Sequence, residues 1–265
     1  MDSVAGLEVT LAEGVLRLSL DRAERRNAID DIMMLGLIAA ITEAGTDDAV
    51  RVILLSGVGE HFCGGADIVA RNAGTERPRP GSIQRRLPTH AHRLIPVMLE
   101  TQVPVVCAVR GWAAGIGFQL ALAADFCVAT TDARFWEPFT ERGFTPDSGA
   151  TWMLPRRVGE VRARELLLLG RVLSGTDAAA WGAIHDAVAP DELDSAVEVI
   201  VDRLATGPTV ALGLAKSLLH SGRHARLESQ LSDEAFALEL SSRTEDFREG
   251  MAAFREKRDA SFRGR

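Results

Sequence analysis

The stretch "PVVCAVRGWAAGIGFQLALAADFCVAT", residues 104–130, decides the fold of this chain. It begins with "PVVCAVRG" and ends with "FCVAT", two short apolar runs that are typical of strands buried on both faces. Between them lie three glycines and an apolar segment long enough for a helix. A strand, a loop, a helix and a strand in this order predict a mostly parallel sheet with right-handed crossovers.

The segments before this stretch extend the same pattern. Alternating apolar and polar residues at Leu7–Leu11 and Val15–Leu20 predict a β-hairpin. "VRVILLSG", residues 50–57, predicts a further buried strand. A helix is expected between the hairpin and this strand, with Asp30 or Asp31 as its N-cap.

The C-terminal part of the chain has a different character. After about Asp191 the strand patterns stop, and amphipathic helical patterns follow one another. We therefore expect an α/β core over residues 1–205 and a helical module over residues 206–265 that serves in assembly. The basic end, "FREKRDASFRGR", is either a solvated tail or a local anion contact.

Composition excludes several classes of protein. The 265 residues carry a formal charge of −7, which argues against a nucleic-acid partner because phosphate neutralisation needs a basic surface. The three cysteines form no CxxC pair, so neither a disulfide scaffold nor a zinc site is expected. The first ten residues lack a signal-peptide pattern, and no apolar window is long enough to span a bilayer. We expect a cytoplasmic protein with no membrane span.

Two glycine-containing loops are candidates for the functional site. "SGVGEHFCGGADI", residues 56–68, and the loop within residues 111–117 each follow a buried strand and precede a helix. Backbone N–H groups and a helix dipole point outward together at such places and can hold an anion or a developing oxyanion. A dinucleotide site is disfavoured because Leu120 stands where the third glycine of that motif belongs. For either loop alone, glycines that merely permit tight packing remain an alternative.

Five segments in order resemble the enoyl-CoA hydratase/isomerase (crotonase) superfamily. They are "LSLDRAERRNAID" (18–30), "HFCGGADI" (61–68), the opening stretch (104–130), "FTERGFTPDSGATWMLPRRVG" (139–159) and "AFREKRDASFRGR" (253–265). The resemblance implies a crotonase-like α/β fold with a parallel-sheet core of ββα repeats and a C-terminal helical oligomerisation module. It also implies coenzyme A thioester substrates, no cofactor or metal, and a homotrimer that often pairs into a hexamer.

The resemblance also assigns roles to individual residues. The backbone N–H groups of Ala66 and Ile116 are expected to converge on the thioester carbonyl oxygen. Phe254 and Lys257 are similar to residues that reach the coenzyme A pocket of a neighbouring subunit. The residues expected along the bound acyl-coenzyme A are Arg26, Ala66, Asp67, Ile68, Gly115, Phe139, Phe254 and Lys257.

The acid or base is less clear from the sequence. By resemblance, Gln119 and Phe139 stand where hydratases carry two glutamates, and neither exchanges a proton near neutral pH. Gln119 could orient a water or the acyl group, or bond locally. Asp147 is the favoured catalytic carboxylate, although it could instead cap the following helix. Glu137 and Glu141 are alternative candidates for the catalytic carboxylate. They are four residues apart and could share a helix face, with solvated charge as their default interpretation.

Three hypotheses follow. The favoured one is an isomerase that acts through an oxyanion-stabilised enolate, because isomerases of the superfamily, including those acting on ring epoxides of phenylacetyl-CoA, resemble "GFTPDSGATWMLPR" (143–156). The alternatives are a hydratase with atypical catalytic residues and a non-catalytic acyl-CoA-binding protein. The segment Arg71–Ser82 is expected to form a lid that shapes the acyl pocket.

Overall fold

A computed structural model describes residues 1–67 and 79–265 of the chain. Its centre is a six-stranded sheet in the order β1-β2-β3-β4-β6-β9, in which β1 and β2 form an antiparallel hairpin and all later pairs are parallel. These strands are β1 (Leu7–Ala12), β2 (Val15–Leu20), β3 (Val52–Gly57), β4 (Val105–Val109), β6 (Phe126–Thr130) and β9 (Asp186–Val188).

A second, three-stranded sheet carries the glycine-rich loop. Its order is β5-β7-β8, with β5 parallel to β7 and β7 antiparallel to β8. The strands are β5 (Trp112–Ala114), β7 (Arg134–Trp136) and β8 (Leu173–Ser174). Its strands are too short for their sequence to show an alternating pattern, and none of them was predicted.

Helices cover both faces of the large sheet. They are α1 (Asp31–Ala44), α2 (Ser82–Arg86), α3 (Ala91–Glu100), α4 (Ile116–Ala123), α5 (Ala150–Leu168), α6 (Gly175–Ala180), α7 (Leu193–Ala205), α8 (Thr209–Ser221), α9 (Leu227–Ser241) and α10 (Glu245–Glu256). Of the two N-cap candidates for α1, the structure uses Asp30, whose carboxylate accepts a hydrogen bond from the Met33 amide at 2.9 Å.

Burial on both faces explains why the central strands are continuously apolar. Along β3, Ile53 and Leu55 pack into the cluster beneath α1, α3 and α4, whereas Val52 and Leu54 pack with α7 on the opposite face. A strand that alternates between two apolar layers shows no polar face in its sequence. The predicted α/β fold with a parallel sheet is therefore confirmed.

A buried lysine ties α8 to the core. The Lys216 ammonium on α8 lies 2.7 Å from the Asp125 carboxylate and donates to the carbonyls of Met98 and Val103. By contrast, α9 contains no buried residue. The boundary after residue 205 stays a prediction, as does the role of the later helices in assembly.

The basic C-terminal tail is held against α10. The amides of Arg263 and Gly264 donate to the Asp246 carboxylate at 2.7 and 2.8 Å. Arg258 donates two hydrogen bonds to Glu249, and this pairing lowers the pKa of Glu249 to about 2. Of the two alternatives for the tail, the structure therefore shows a local anion contact, in which the anions are acidic side chains of the same chain. In the described part of the chain, no helix is long and apolar enough to cross a membrane.

Candidate active site

A cavity of about 1070 Å³ opens where the two glycine-containing loops meet the start of α4. Its walls come from segments far apart in the sequence, which the parallel sheet brings to one edge. The residues from these two loops are Gly64, Gly65, Ala66, Asp67, Gly115 and Ile116, and the later wall includes Phe139, Arg142, Phe144, Thr145, Asp147 and Ser148.

The first loop turns the Ala66 amide away from the sheet. Ala66 forms an isolated parallel bridge with Ile29, in which the Ile29 amide donates to Gly65 and the Asp67 amide donates to Ile29. In this pattern the N–H and C=O of Ala66 itself point away from Ile29. No backbone acceptor within the described residues pairs with the Ala66 N–H. This donor is therefore free on the wall of the cavity.

The second loop places another donor at a helix N-terminus. Gly115 adopts a φ of +51°, which favours glycine, and its amide donates to the Trp136 carbonyl at 2.8 Å. Ile116 then begins α4, so its N–H belongs to the first turn and has no intrahelical acceptor. The helix dipole adds partial positive charge at the same point. The Ile116 amide is thus a fixed donor on the same cavity.

Backbone pairing fixes the two loops relative to each other. The Cys63 amide donates to Trp112 at 2.8 Å, and the Ala114 amide donates to Cys63 at 2.9 Å. A Cβ atom at Gly117 would lie only 2.7 Å from the Cys63 carbonyl oxygen, so this glycine lets α4 approach the first loop. The packing interpretation is correct for Gly117, and its effect is to hold the two donors in place.

Asp147 supplies a half-buried carboxylate to the later wall of the cavity. The Ser148 hydroxyl donates to it at 2.9 Å. The N-cap of α5 is Gly149, and no side chain caps this helix, so the suggestion that Asp147 is an N-cap is wrong. Within the described residues, no arginine or lysine forms a salt bridge with Asp147.

Asp67, the other carboxylate on the cavity wall, is held by arginines. Arg22 donates to it at 3.0 Å, and Arg25 lies 3.9 Å away. Arg25 also lines the cavity, whereas Arg26 is not among the lining residues. Arg26 is exposed, and its carbonyl accepts from the Gly64 amide at 2.6 Å. Of these two neighbouring arginines, Arg25 is therefore the one on the cavity wall.

Comparisons with known proteins agree with this geometry. A family model described as "Enoyl-CoA hydratase/isomerase" matches residues 10–265. The 1,2-epoxyphenylacetyl-CoA isomerase of Escherichia coli K12 is 38% identical over 96% of each chain. The chain belongs to the enoyl-CoA hydratase/isomerase family. A probable enoyl-CoA hydratase of Rhodobacter capsulatus is 36% identical, also over 96% of each chain. A putative enoyl-CoA hydratase/isomerase structure from Mycobacterium abscessus superimposes with a TM-score of 0.91 at 33% identity, covering 98% of this chain and all of that one.

At the two positions where the resemblance places the glutamates of hydratases, this chain carries Phe139 and Gln119. Phe139 is buried on the cavity wall, where its ring packs edge-on against Phe144 with centroids 5.4 Å apart. Gln119 is fully buried on α4, and its amide group donates to Glu137 at 3.3 Å. Neither position presents an ionisable group to the substrate.

The environment of Glu137 differs from the one that the sequence predicts. Its side chain is 1% exposed, so the default of a solvated charge is wrong. It also shares no helix face with Glu141, because a separate 3-10 turn begins at Thr140 and leaves Glu141 exposed. Burial raises the pKa of Glu137 well above its usual range, the Gln119 hydrogen bond opposes this shift, and the charge of Asp147 adds to it. The sequence signal for the burial of Glu137 would be its position directly after β7, but a strand of three residues cannot be recognised in the sequence.

The remaining predicted residues lie elsewhere or outside the described chain. Ile68 and most of the predicted lid at Arg71–Ser82 fall in residues 68–78, which are not described. Phe254 is 80% exposed on α10, and Lys257 caps the end of this helix. Neither residue lines the cavity of its own chain. Among residues 1–67 and 79–265, no group of three His, Cys, Asp or Glu side chains could hold a metal ion.

Proposed function

We propose that this member of the family is an isomerase that shifts a double bond in an enoyl-CoA thioester. The observation that carries the proposal is the setting of Asp147, a carboxylate on the cavity wall with which no described arginine or lysine forms a salt bridge. The same cavity wall carries the free amides of Ala66 and Ile116. One base and one oxyanion site are the groups that an enolate mechanism requires.

The proposed reaction begins when the thioester oxygen accepts hydrogen bonds from the Ala66 and Ile116 amides. Asp147 then removes a proton from the carbon next to the carbonyl, and the electron pair moves into an enolate that the two amides stabilise. The protonated Asp147 returns the same proton to the far carbon of the original double bond, so that the new double bond lies next to the thioester carbonyl. Substrate and product have the same composition, so the carboxylate is regenerated in each turnover.

The surroundings of Asp147 favour proton transfer over the addition of water. Hydration calls for a second group that positions and activates water. Phe139 offers only an aromatic ring to the cavity, and the Gln119 amide is already bonded to Glu137. The 1,2-epoxyphenylacetyl-CoA isomerase at 38% identity also supports an isomerase, whereas the relative from Rhodobacter capsulatus carries a hydratase name.

A turnover screen tests the proposal. We expect unsaturated acyl-CoA thioesters to be converted to products of unchanged mass that separate by chromatography. We expect crotonyl-CoA to keep its conjugated enoyl absorbance, because hydration would remove it and add one water to the mass. Rapid hydration of crotonyl-CoA would establish the alternative of a hydratase. Tight binding of every thioester without any turnover would establish the non-catalytic alternative.

The coenzyme A end of the substrate is proposed to lie at the first loop. The Arg25 guanidinium on the cavity wall suits the negative charge of the phosphates, and Asp67 fixes its position through their 3.9 Å contact. Arg22 donates hydrogen bonds both to the Asp67 carboxylate and to the Ala28 carbonyl. Arg26 and Ile68 remain predicted contacts of the nucleotide.

The exposed apolar residues of the C-terminal helices support the proposed homotrimer. On α9, Phe236 is 75% and Leu238 is 66% exposed, and Phe254 on α10 is 80% exposed. Large apolar side chains left exposed in this number favour a contact with another protein surface. We expect light scattering after size-exclusion chromatography to give three or six times the mass of the 28.5 kDa chain. A measured mass equal to that of one chain would contradict the proposed roles of Phe254 and Lys257 in the pocket of a neighbouring subunit.

A further inference from the structure

Glu137 and Gln119 form a buried, hydrogen-bonded polar pair next to the cavity. Gln119 lies three residues after Ile116 on α4, and Glu137 precedes Pro138, which lines the cavity. The two side chains are 0% and 1% exposed. The proposed isomerase mechanism uses neither of them, so their burial requires another explanation.

The hydrogen bonding of the pair is incomplete when Glu137 is drawn as a carboxylate. Gln119 Nε2 donates to Glu137 Oε2 at 3.3 Å, which is the single hydrogen bond between them. Gln119 Oε1 and Glu137 Oε1 are both buried, and neither finds a partner among the described residues. Both unpaired atoms are acceptors, so no rotation of the two groups can satisfy them together. A buried polar atom without a partner destabilises the folded state, because it has lost its hydrogen bonds to water.

One proton would satisfy both atoms. A carboxylic acid and an amide can face each other in a ring in which the acid O–H donates to the amide oxygen and the amide N–H donates to the acid oxygen. We propose that Glu137 holds a proton in the folded protein near neutral pH and that it pairs with Gln119 in this way as a positioning residue. The positioning role rests on the proposed isomerase function, whereas the proton itself does not.

The charges around Glu137 are consistent with this arrangement. Asp147 is the charged side chain whose field acts on Glu137 among the described residues, and burial acts in the same direction. A second negative charge behind the cavity would repel both the Asp147 carboxylate and the negative charge of the enolate. A neutral Glu137 avoids this repulsion while it fixes Gln119 on the helix that carries the Ile116 donor.

The dependence of folding on pH tests the proton without any turnover. An unfolded glutamate loses its proton near pH 4.3, so unfolding above this pH releases the proton that folded Glu137 retains. Raising the pH then favours unfolding, by about tenfold in the unfolding constant for each pH unit up to the folded pKa. The neutral variant Glu137→Gln carries no such proton. We measure the free energy of unfolding with denaturant at matched protein concentration. Between about pH 5 and 7 we expect it to fall more steeply with rising pH in wild type than in Glu137→Gln.

Glu141→Gln is the matched control, because Glu141 is an exposed glutamate four residues away. We expect its unfolding curves to run parallel to those of wild type. Equal pH slopes for wild type and Glu137→Gln would overturn the proposal. If Glu137→Gln does not fold, infrared spectra of the wild-type protein at pH 7 decide instead. A protonated carboxyl band is expected there, and its absence would overturn the proposal.

The positioning role has its own readout once turnover is established. Glu137→Gln keeps a neutral pair with Gln119, so we expect it to retain turnover, and to retain it at alkaline pH where wild type declines as Glu137 ionises. Glu137→Leu leaves the Gln119 amide unpaired and is expected to lose up to about a hundredfold in kcat through misplacement of the site. Failure of the isomerase proposal would leave the unfolding result unchanged, and equal activity in Glu137→Leu would remove only the positioning role.

Discussion

Replacing Asp147 with asparagine is expected to lower kcat for double-bond isomerisation by about a thousandfold, within the range typical of a lost general base. The amide is nearly the same size and can still accept a hydrogen bond from the Ser148 hydroxyl, which donates to Asp147 at 2.9 Å. It cannot carry the proton between the two carbons. Acyl-CoA binding is expected to persist because the Ala66 and Ile116 donors are unchanged. Single-turnover kinetics and calorimetric titration with a non-reactive thioester measure the two effects separately.

Glu141→Gln provides the control for this loss. Glu141 lies in the same active-site segment but is exposed on its 3-10 turn, and the cavity lining does not include it. We expect this variant to retain wild-type turnover. Full activity in Asp147→Asn would show that Asp147 is not the base and would direct attention to the other acidic groups of the site.

The fold was predictable where a local pattern determines an element. The hairpin of β1 and β2, the central strands β3, β4 and β6, and the N-cap choice at Asp30 or Asp31 all follow from residue periodicity and capping chemistry. The strands β5, β7 and β8 were not predictable, because two or three residues cannot show a period. Their existence depends on pairing with each other across long separations in the chain.

Some parts of the candidate site could likewise be predicted from the sequence, and others could not. The two glycine-containing loops could be found because each lies between a buried strand and a helix, and the resemblance to the family then points to Ala66 and Ile116 within them. The pairing of Asp67 with Arg22 joins residues 45 positions apart, and no local pattern reveals it. The burial of Glu137 likewise depends on α4 packing against the segment after β7. In the sequence its neighbours Pro138 and Thr140 resemble an ordinary exposed turn.

Turn geometry decides which of two neighbouring arginines lies on the cavity wall. Both Arg25 and Arg26 fit a basic loop near coenzyme A. The structure gives Arg26 a φ of +53° at the end of a 3-10 turn, so the chain reverses there and Arg25 lines the cavity. Consecutive residues at such a turn point in different directions, and the sequence does not reveal which one faces the ligand.

Replacing Ile116 with proline is the most direct test of the oxyanion site, because it removes one backbone donor. Ile116 is the first residue of α4, where proline is well tolerated because its N–H has no intrahelical acceptor. The helix is therefore expected to form, while the thioester oxygen loses one of two hydrogen bonds. We expect kcat to fall by about a hundredfold to a thousandfold, the range seen when one oxyanion donor is removed. Circular dichroism and steady-state kinetics measure the helix and the rate.

Ile116→Val is the matched control, because it shortens the side chain by one methylene and keeps the amide. A buried Ile-to-Val change is expected to cost about 1 kcal/mol of folding stability and to leave kcat nearly unchanged. A loss of activity confined to the proline variant then belongs to the missing N–H and not to altered packing of α4. Equal rates in the two variants would mean that the Ile116 amide does not bind the thioester oxygen. The two-donor arrangement with Ala66 would then fail even though Asp147 could still serve as the base.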